Sequence, residues 1–188
     1  MNRSSFPRLG SARGFAADQR GVSAIEFALL LPVLMLLLAG TFDLCQALTI
    51  NRKMRQISST VADLVAQRST ISAADVSTLL AGAATILVPN DTTNLKIVLS
   101  IVDVTNGIQT INWSKAYQTT ALGAGIVNPN PVPVAIAENG IQMVSVKVDY
   151  QFTTIFSSYL QGVLGRIGYS MSDTLYERPR VGDSIILN

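Results

Sequence analysis

VSAIEFALLLPVLMLLLAGTF, from Val22 to Phe42, carries a single charged side chain, Glu26, in 21 consecutive positions. A helix of that length rises about 31 Å, which matches the hydrocarbon thickness of a bilayer. The stretch predicts one transmembrane helix over 22–42, with membrane lipid as its surroundings. Arg3, Arg8, Arg13 and Arg20 precede it, with Arg20 and Arg13 nearer to it than Arg52, Lys53 and Arg55 beyond it. By the positive-inside rule this puts the N-terminus in the cytoplasm and Thr41 onward outside. Glu26 is costly at the edge of such a helix unless it reaches the interface or finds a partner, so it is a functional candidate, with snorkelling as the plainer reading. A cleaved secretory signal would need a shorter apolar run and a small-residue site; Leu38 to Thr41 match that loosely, but the helical pattern continues without a break. A lipoprotein is disfavoured because Cys45 follows Phe42, Asp43 and Leu44 rather than a small residue.

Composition narrows the rest. Of 188 residues, 48% are hydrophobic and 14% charged, against about 25% charged in an ordinary soluble domain. Such a length suits one modest domain and an appendage. With no His and one Cys, the chain cannot build a Ser-His-Asp or Cys-His centre, a His-based zinc site or an internal disulfide. Past residue 21 there are 10 basic and 11 acidic residues, so no basic patch points to nucleic acid.

A narrower signal sits at the start of the apolar run. Gln19-Arg20-Gly21-Val22-Ser23-Ala24-Ile25-Glu26-Phe27 resembles a type IV prepilin processing site: a basic leader, Gly at its last position, and Glu fifth in the mature chain when Val22 is counted as one. Gly21 to Pro32, GVSAIEFALLLP, followed by Val33 to Gly40, resembles the TadE-like pseudopilins of tight adherence (Tad/Flp) pilus systems. The resemblance extends to Val144–Tyr150, Phe152 and Leu175-Tyr176-Glu177-Arg178-Pro179-Arg180, similar to the closing strands and basic-proline ending of TadE- and TadG-like chains. Residues 85–140 follow the family in pattern more than in motif. The Asp-x-Ser-x-Ser triplet of a TadG-type von Willebrand A domain is not found here, so the resemblance is to the short, TadE-type member.

That resemblance implies a cytoplasmic leader over 1–21, cut between Gly21 and Val22 by a membrane-embedded prepilin peptidase to leave 167 residues. It also implies a register contact in which the Glu26 carboxylate meets the new Val22 amine of a neighbouring subunit. A buried pair of that kind is costly to break because one charge would be stranded. Gly21 has a bland alternative as a flexible residue before the helix. Pro32 lacks an N–H and is expected to kink the helix, an aid to membrane extraction or simply a tolerated proline. The implied partners are prepilin peptidase, other Tad pilins or pseudopilins and the assembly platform. The implied location is the bacterial inner membrane, single-pass, with the C-terminal domain periplasmic and incorporation into an extracellular pilus as a further step.

The body reads as α+β. Ala47, Ile50, Met54, Ile57, Val61 and Leu64 recur at spacings of three and four, predicting a periplasmic continuation of the stem helix over 43–70 with Arg52, Lys53, Arg55 and Asp63 in solvent. A small α+β domain over 71–188 follows. Ser72-Ala73-Ala74-Asp75 suits a helix start, and Val76, Leu79, Leu80, Ala83, Ala84 and Leu87 form one face of a second helix ending before Pro89. Leu95–Val104 reads as a central strand, Asn106-Gly107 as a hairpin turn and Ile108–Trp113 as its return. Val144, Val146, Val148, Tyr150 and Phe152 alternate with Ser145, Lys147, Asp149 and Gln151, predicting a strand with one packed and one wet face. Ile167–Leu175 reads as the last strand, and 115–140, with Gly123, Gly125, Pro129, Pro131 and Pro133, as a long loop or cap. The expected architecture is a small antiparallel sheet with a long stem helix and a second helix, pilin-like in outline.

No catalytic constellation is expected. Asp91, Asp103, Asp149 and Asp173 are scattered and read as surface residues, phosphate-binding glycine loops are missing, and no transition-metal ligand cluster stands in the sequence. No cofactor, metal or enzymatic activity is therefore expected, a calcium site from loop aspartates being the only metal left open. Two other readings stand beside the TadE-like one. A type II secretion-like pseudopilin or another type IV minor pilin shares the Gly and Glu logic but not the Ala24-Ile25-Glu26-Phe27 and Leu31-Pro32 context. An unprocessed bitopic envelope protein with a periplasmic binding domain would keep residues 1–21.

Overall fold

The computed structural model describes residues 19–153 and 168–188, with side chains from residue 21 onward. Helix α1, Gln19–Ala66, contains Pro32 and divides between two compact units, residues 1–42 and 43–188. In the first unit Val22, Ile25, Phe27, Leu29, Leu30 and the residues through Leu38 are exposed. A helix so apolar with no buried side is suited to lipid rather than water. It is the one described helix long and apolar enough to cross a membrane. Pro32 does not end it; the missing N–H leaves the Ala28 carbonyl without its usual acceptor role.

In the second unit the helix becomes one-sided. Ile50, Met54, Ile57, Val61, Ala62, Val65 and Ala66 are buried, while Arg52, Arg55, Gln56 and Ser59 face solvent. The expected end at residue 70 is corrected: α1 stops at Ala66, and β1, Thr70–Ile71, pairs in parallel with β6, Ile186–Leu187. The backbone N–H of Arg180 donates to the Ala66 carbonyl at 2.7 Å and satisfies one of the acceptors that a helix end leaves over. Helix α2, Ala73–Ala84, starts as its sequence dictates, with the Ser72 hydroxyl accepting from the Asp75 N–H at 3.1 Å. Its last turn, Thr85–Leu87, tightens to a 3₁₀ turn ahead of Pro89.

Four antiparallel strands form the sheet in the order β3-β2-β4-β5. They are β2 (Leu95–Thr105), β3 (Ile108–Tyr117), β4 (Gln142–Thr153) and β5 (Gly168–Glu177). Asn106 and Gly107 take φ of 51° and 78° between paired Thr105 and Ile108, as a type I′ turn requires. On one face, Leu95, Ile97, Leu99, Ile101, Val144, Val146, Val148, Tyr150 and Phe152 join the buried side of α1 and α2 in the main core. A register shift between Ile101 and Val102 leaves Asn112 unpaired and turns Trp113 to that core and Ile111 to the opposite face.

The opposite face is not uniformly wet, which corrects the simple alternation expected of β4. Val102, Val104, Ile111 and Met143 form a second core closed by Val132 from the segment after β3, and Ser145 is buried beside it. β3 runs on to Tyr117, so that segment starts later than expected, and it packs along β3: Ile111 N–H donates to Ile126 C=O and Asn128 N–H to Gln109 C=O, both 2.9 Å. β5 carries the last strand to Glu177, past the expected Leu175. Residue 167, and residues 1–18 of the leader, lie outside the described residues.

Candidate processing and assembly site

Gly21 and Val22 fall in the first turn of α1, which begins at Gln19, so the residues on both sides of the candidate cut are helical and the glycine does not precede the helix. The first four N–H groups of a helix have no intrahelical acceptor, so this turn opens at little cost when an extended backbone is wanted. A Cβ placed on Gly21 would meet nothing within 4 Å. Among the described residues, packing therefore sets no requirement for glycine at this position.

Glu26 lies one turn along from Val22, on the same helix face, and both are exposed. Pro32 stands six residues further on, exposed as well. The helix thus collects the candidate cut bond, carboxylate and proline in about three turns, all on exposed residues. Hydrolysis of the Gly21–Val22 amide would leave a carboxylate on Gly21 and an ammonium on Val22. Glu26 is the first acidic side chain after that new cation.

Residues 21–63 match the family model of the TadE-like protein. That segment is TadE-like. The match runs along α1 from Gly21 through the exposed apolar stretch to Asp63 and so takes in helix residues that build the main core. The TadE-like match supports association with the Tad pilus system. It stops short of the sheet, so the similarity noted for residues 144–152 and 175–180 lies outside it. No curated protein and no solved structure matches the chain.

The body's polar groups act as fasteners. Lys53, expected in solvent, instead donates from Nζ to the carbonyls of Leu87 (3.1 Å) and Val88 (2.8 Å) and to Asn90 Oδ1 (3.3 Å), closing the C-terminal end of the α2 region onto the TadE-like helix. Ser58, buried on α1, donates to Asp173 Oδ2 on β5 at 2.6 Å, with Arg55 Nε 3.8 Å from the same carboxylate. Arg180 bridges Asp63 (2.7 Å) and Glu177 (2.6 Å), and these carboxylates raise its pKa, the Glu177 hydrogen bond contributing most. The sequence showed these residues only as scattered charges, since their partners are 34 or more positions away in all but the Arg180–Glu177 pair.

The four aspartates do not converge. Asp91 accepts from the N–H and hydroxyl of Thr93, which holds its carboxyl below the usual 3.8. Asp103 accepts from Asn112 and Gln142, Asp149 faces Lys147 at 3.4 Å, and Asp173 serves Ser58. Among the described residues no three His, Cys, Asp or Glu side chains are grouped to hold a metal ion.

Proposed function

We propose that this chain is a TadE-like minor pilin or pseudopilin that prepilin peptidase trims between Gly21 and Val22 and that takes part in assembling a Tad-type pilus. Its work is structural rather than catalytic. The observation that carries this reading is the family match across Gly21–Asp63, which spans the cut bond, Glu26 and the helix beyond them. The leader faces the cytoplasm, the body lies in the periplasm, and residues 22–42 hold the chain in the inner membrane until assembly.

Physical chemistry gives each part a task. Before assembly the apolar helix is at rest in lipid, because every side of it is exposed and apolar. In a filament the same surface can be covered only by helices of like character, where close packing takes over from the lipid tails. Bulk apolar contact gives little register, and the Glu26 carboxylate on the Val22 ammonium of a neighbour supplies it, since a shift by one residue would strand both charges. Pilus-dependent surface attachment follows from that assembly.

The test replaces Gly21→Leu and Glu26→Leu separately in cells that make the pilus. Gly21→Leu is expected to retain the leader and to abolish incorporation. Glu26→Leu is expected to be trimmed and held in the membrane, with pilus yield reduced at least tenfold. Normal trimming of Gly21→Leu would remove the processing site, and normal pili with Glu26→Leu would remove the register contact.

A further inference from the structure

The exposed apolar character of α1 outlasts the stretch first read as membrane-spanning. Within the folded body, Leu44 is 60% and Leu48 53% exposed, and Cys45 beside them is exposed too. Thr49 donates its hydroxyl to the Cys45 carbonyl at 2.8 Å, as Thr41 does to that of Leu37, so neither hydroxyl calls for water. Then the chemistry changes abruptly. Arg52 is exposed and has no ion pair among the described residues, and Arg55 is 73% exposed with one distant carboxylate.

Leu44, Leu48, Arg52 and Arg55 follow at spacings of four, four and three, so they form a single line along the helix. That line is apolar for its first half and cationic for its second. At about 1.5 Å per residue, Leu44 to Leu48 cover roughly 6 Å, the depth of one headgroup layer. The order of chemistry along the line is the order found in a phospholipid leaflet, acyl chain and then phosphate. A protein groove offered to this face would have to reproduce the same change within one turn. The carboxylates at this end leave net positive charge on the line: Asp43 is half-buried, Asp91 is turned into Thr93, and Asp173, which also accepts from Ser58, reaches Arg55 Nε at 3.8 Å and pairs with one of the two arginines.

We infer that this end of the body is a membrane-surface contact: Leu44 and Leu48 insert among the headgroups of the adjoining leaflet, and Arg52 and Arg55 take the phosphates of anionic phospholipid. The inference rests on residues 22–42 spanning the bilayer and extends the lipid contact of the chain by about two turns. Long arginine stems lie along apolar surface while their guanidinium groups reach the phosphate level, which suits this arrangement. A body seated in this way has to be lifted off the lipid before it can enter a filament.

The test uses the native Cys45, the chain's single cysteine, carrying a nitroxide label in the full-length protein in nanodiscs of phosphatidylglycerol and phosphatidylethanolamine. Collision with oxygen and with a water-soluble nickel chelate reports depth. A label on Met35→Cys in a Cys45→Ser background reports the span itself. The expected result is Met35 deep in the hydrocarbon and Cys45 at headgroup level. With Arg52→Gln/Arg55→Gln, or with phosphatidylcholine alone, the Cys45 label should become roughly tenfold more open to the nickel chelate. A Cys45 label as open to water as one on the exposed loop residue Thr120→Cys, with Met35 still deep, would overturn the lipid contact and leave the span standing. A water-exposed Met35 label would overturn the span as well. Spin–spin broadening at Cys45 would show a second copy on this face and overturn the lipid assignment.

Discussion

The two halves of α1 differ in apolar content, 14 of 17 residues from Val22 to Leu38 against 8 of 17 from Ile50 to Ala66, and also in what they do with it. From Val22 to Leu38 the apolar side chains point outward on every side; from Ile50 to Ala66 they gather on one face and build a core with α2 and the sheet. What differs is the distribution of polar residues, which are nearly missing from the first half and recur in the second as Arg52, Lys53, Arg55, Gln56 and Ser59. Those polar residues leave one stripe free to bury, and the fold of the body follows from that stripe.

The largest effect expected from this contrast comes from matched truncations. Ile57→Ala, at a fully buried position, should lower the stability of the body by about 2–5 kcal/mol, whereas Leu34→Ala, 53% exposed, should leave its unfolding midpoint unchanged. Denaturation of the full chain in nanodiscs, followed by the near-ultraviolet signal of Trp113, measures both. Equal effects would show that the first half also packs on the body.

A sharper form of the comparison uses neighbouring cations. Lys53→Met removes three hydrogen bonds to the end of the α2 region and should cost about 1.5–3 kcal/mol, while Arg52→Met should stay within about 0.5 kcal/mol in detergent. The same unfolding assay separates them. A loss at Lys53 no greater than at Arg52 would mean that the carbonyls it holds are satisfied without it.

The smallest effect concerns pH. Burial raises the Tyr150 pKa above 10.0, with the Asp91 charge adding to it, and the phenol donates to the Asp91 carbonyl at 2.9 Å. A pKa raised in the folded state means that the unfolded chain releases its proton first. The stabilisation is complete below pH 10 and is lost as pH rises through the folded value. Tyr176, raised by burial, acts in the same sense. Tyr150→Phe should flatten the fall in melting temperature above pH 10, and an unchanged slope would remove Tyr150 as a contributor.

Much of this was legible in the sequence because the signals were local. The charge-poor run, the three- and four-residue spacing after Asp43, the Ser72 cap and the Asn106-Gly107 turn each act within a few residues, and each element formed where its signal lay. What escaped was settled by distant partners. The pairing of Thr70–Ile71 with Ile186–Leu187, the Trp113 Nε1 donation to the Ile185 carbonyl and the Lys53 fastening join segments whose separations no periodicity encodes. The same holds for Ser145, polar by sequence yet buried, which sits between Ser100 of β2 and Tyr176 of β5 in the middle of the sheet. For the proposed processing site nearly the whole signal is in the sequence: the motif is linear, and the structure adds the helical setting of Gly21, with no described atom within 4 Å of a Cβ placed there.

The central claim is that α1 serves as a trimmed stem, and the N-terminus of the protein from its native membrane tests it most directly. Intact mass, with and without active prepilin peptidase, should show a chain of 167 residues beginning at Val22 only when the peptidase is present. A chain that keeps residues 1–21 in both cases would contradict the account and leave a membrane-anchored body with no route into a pilus.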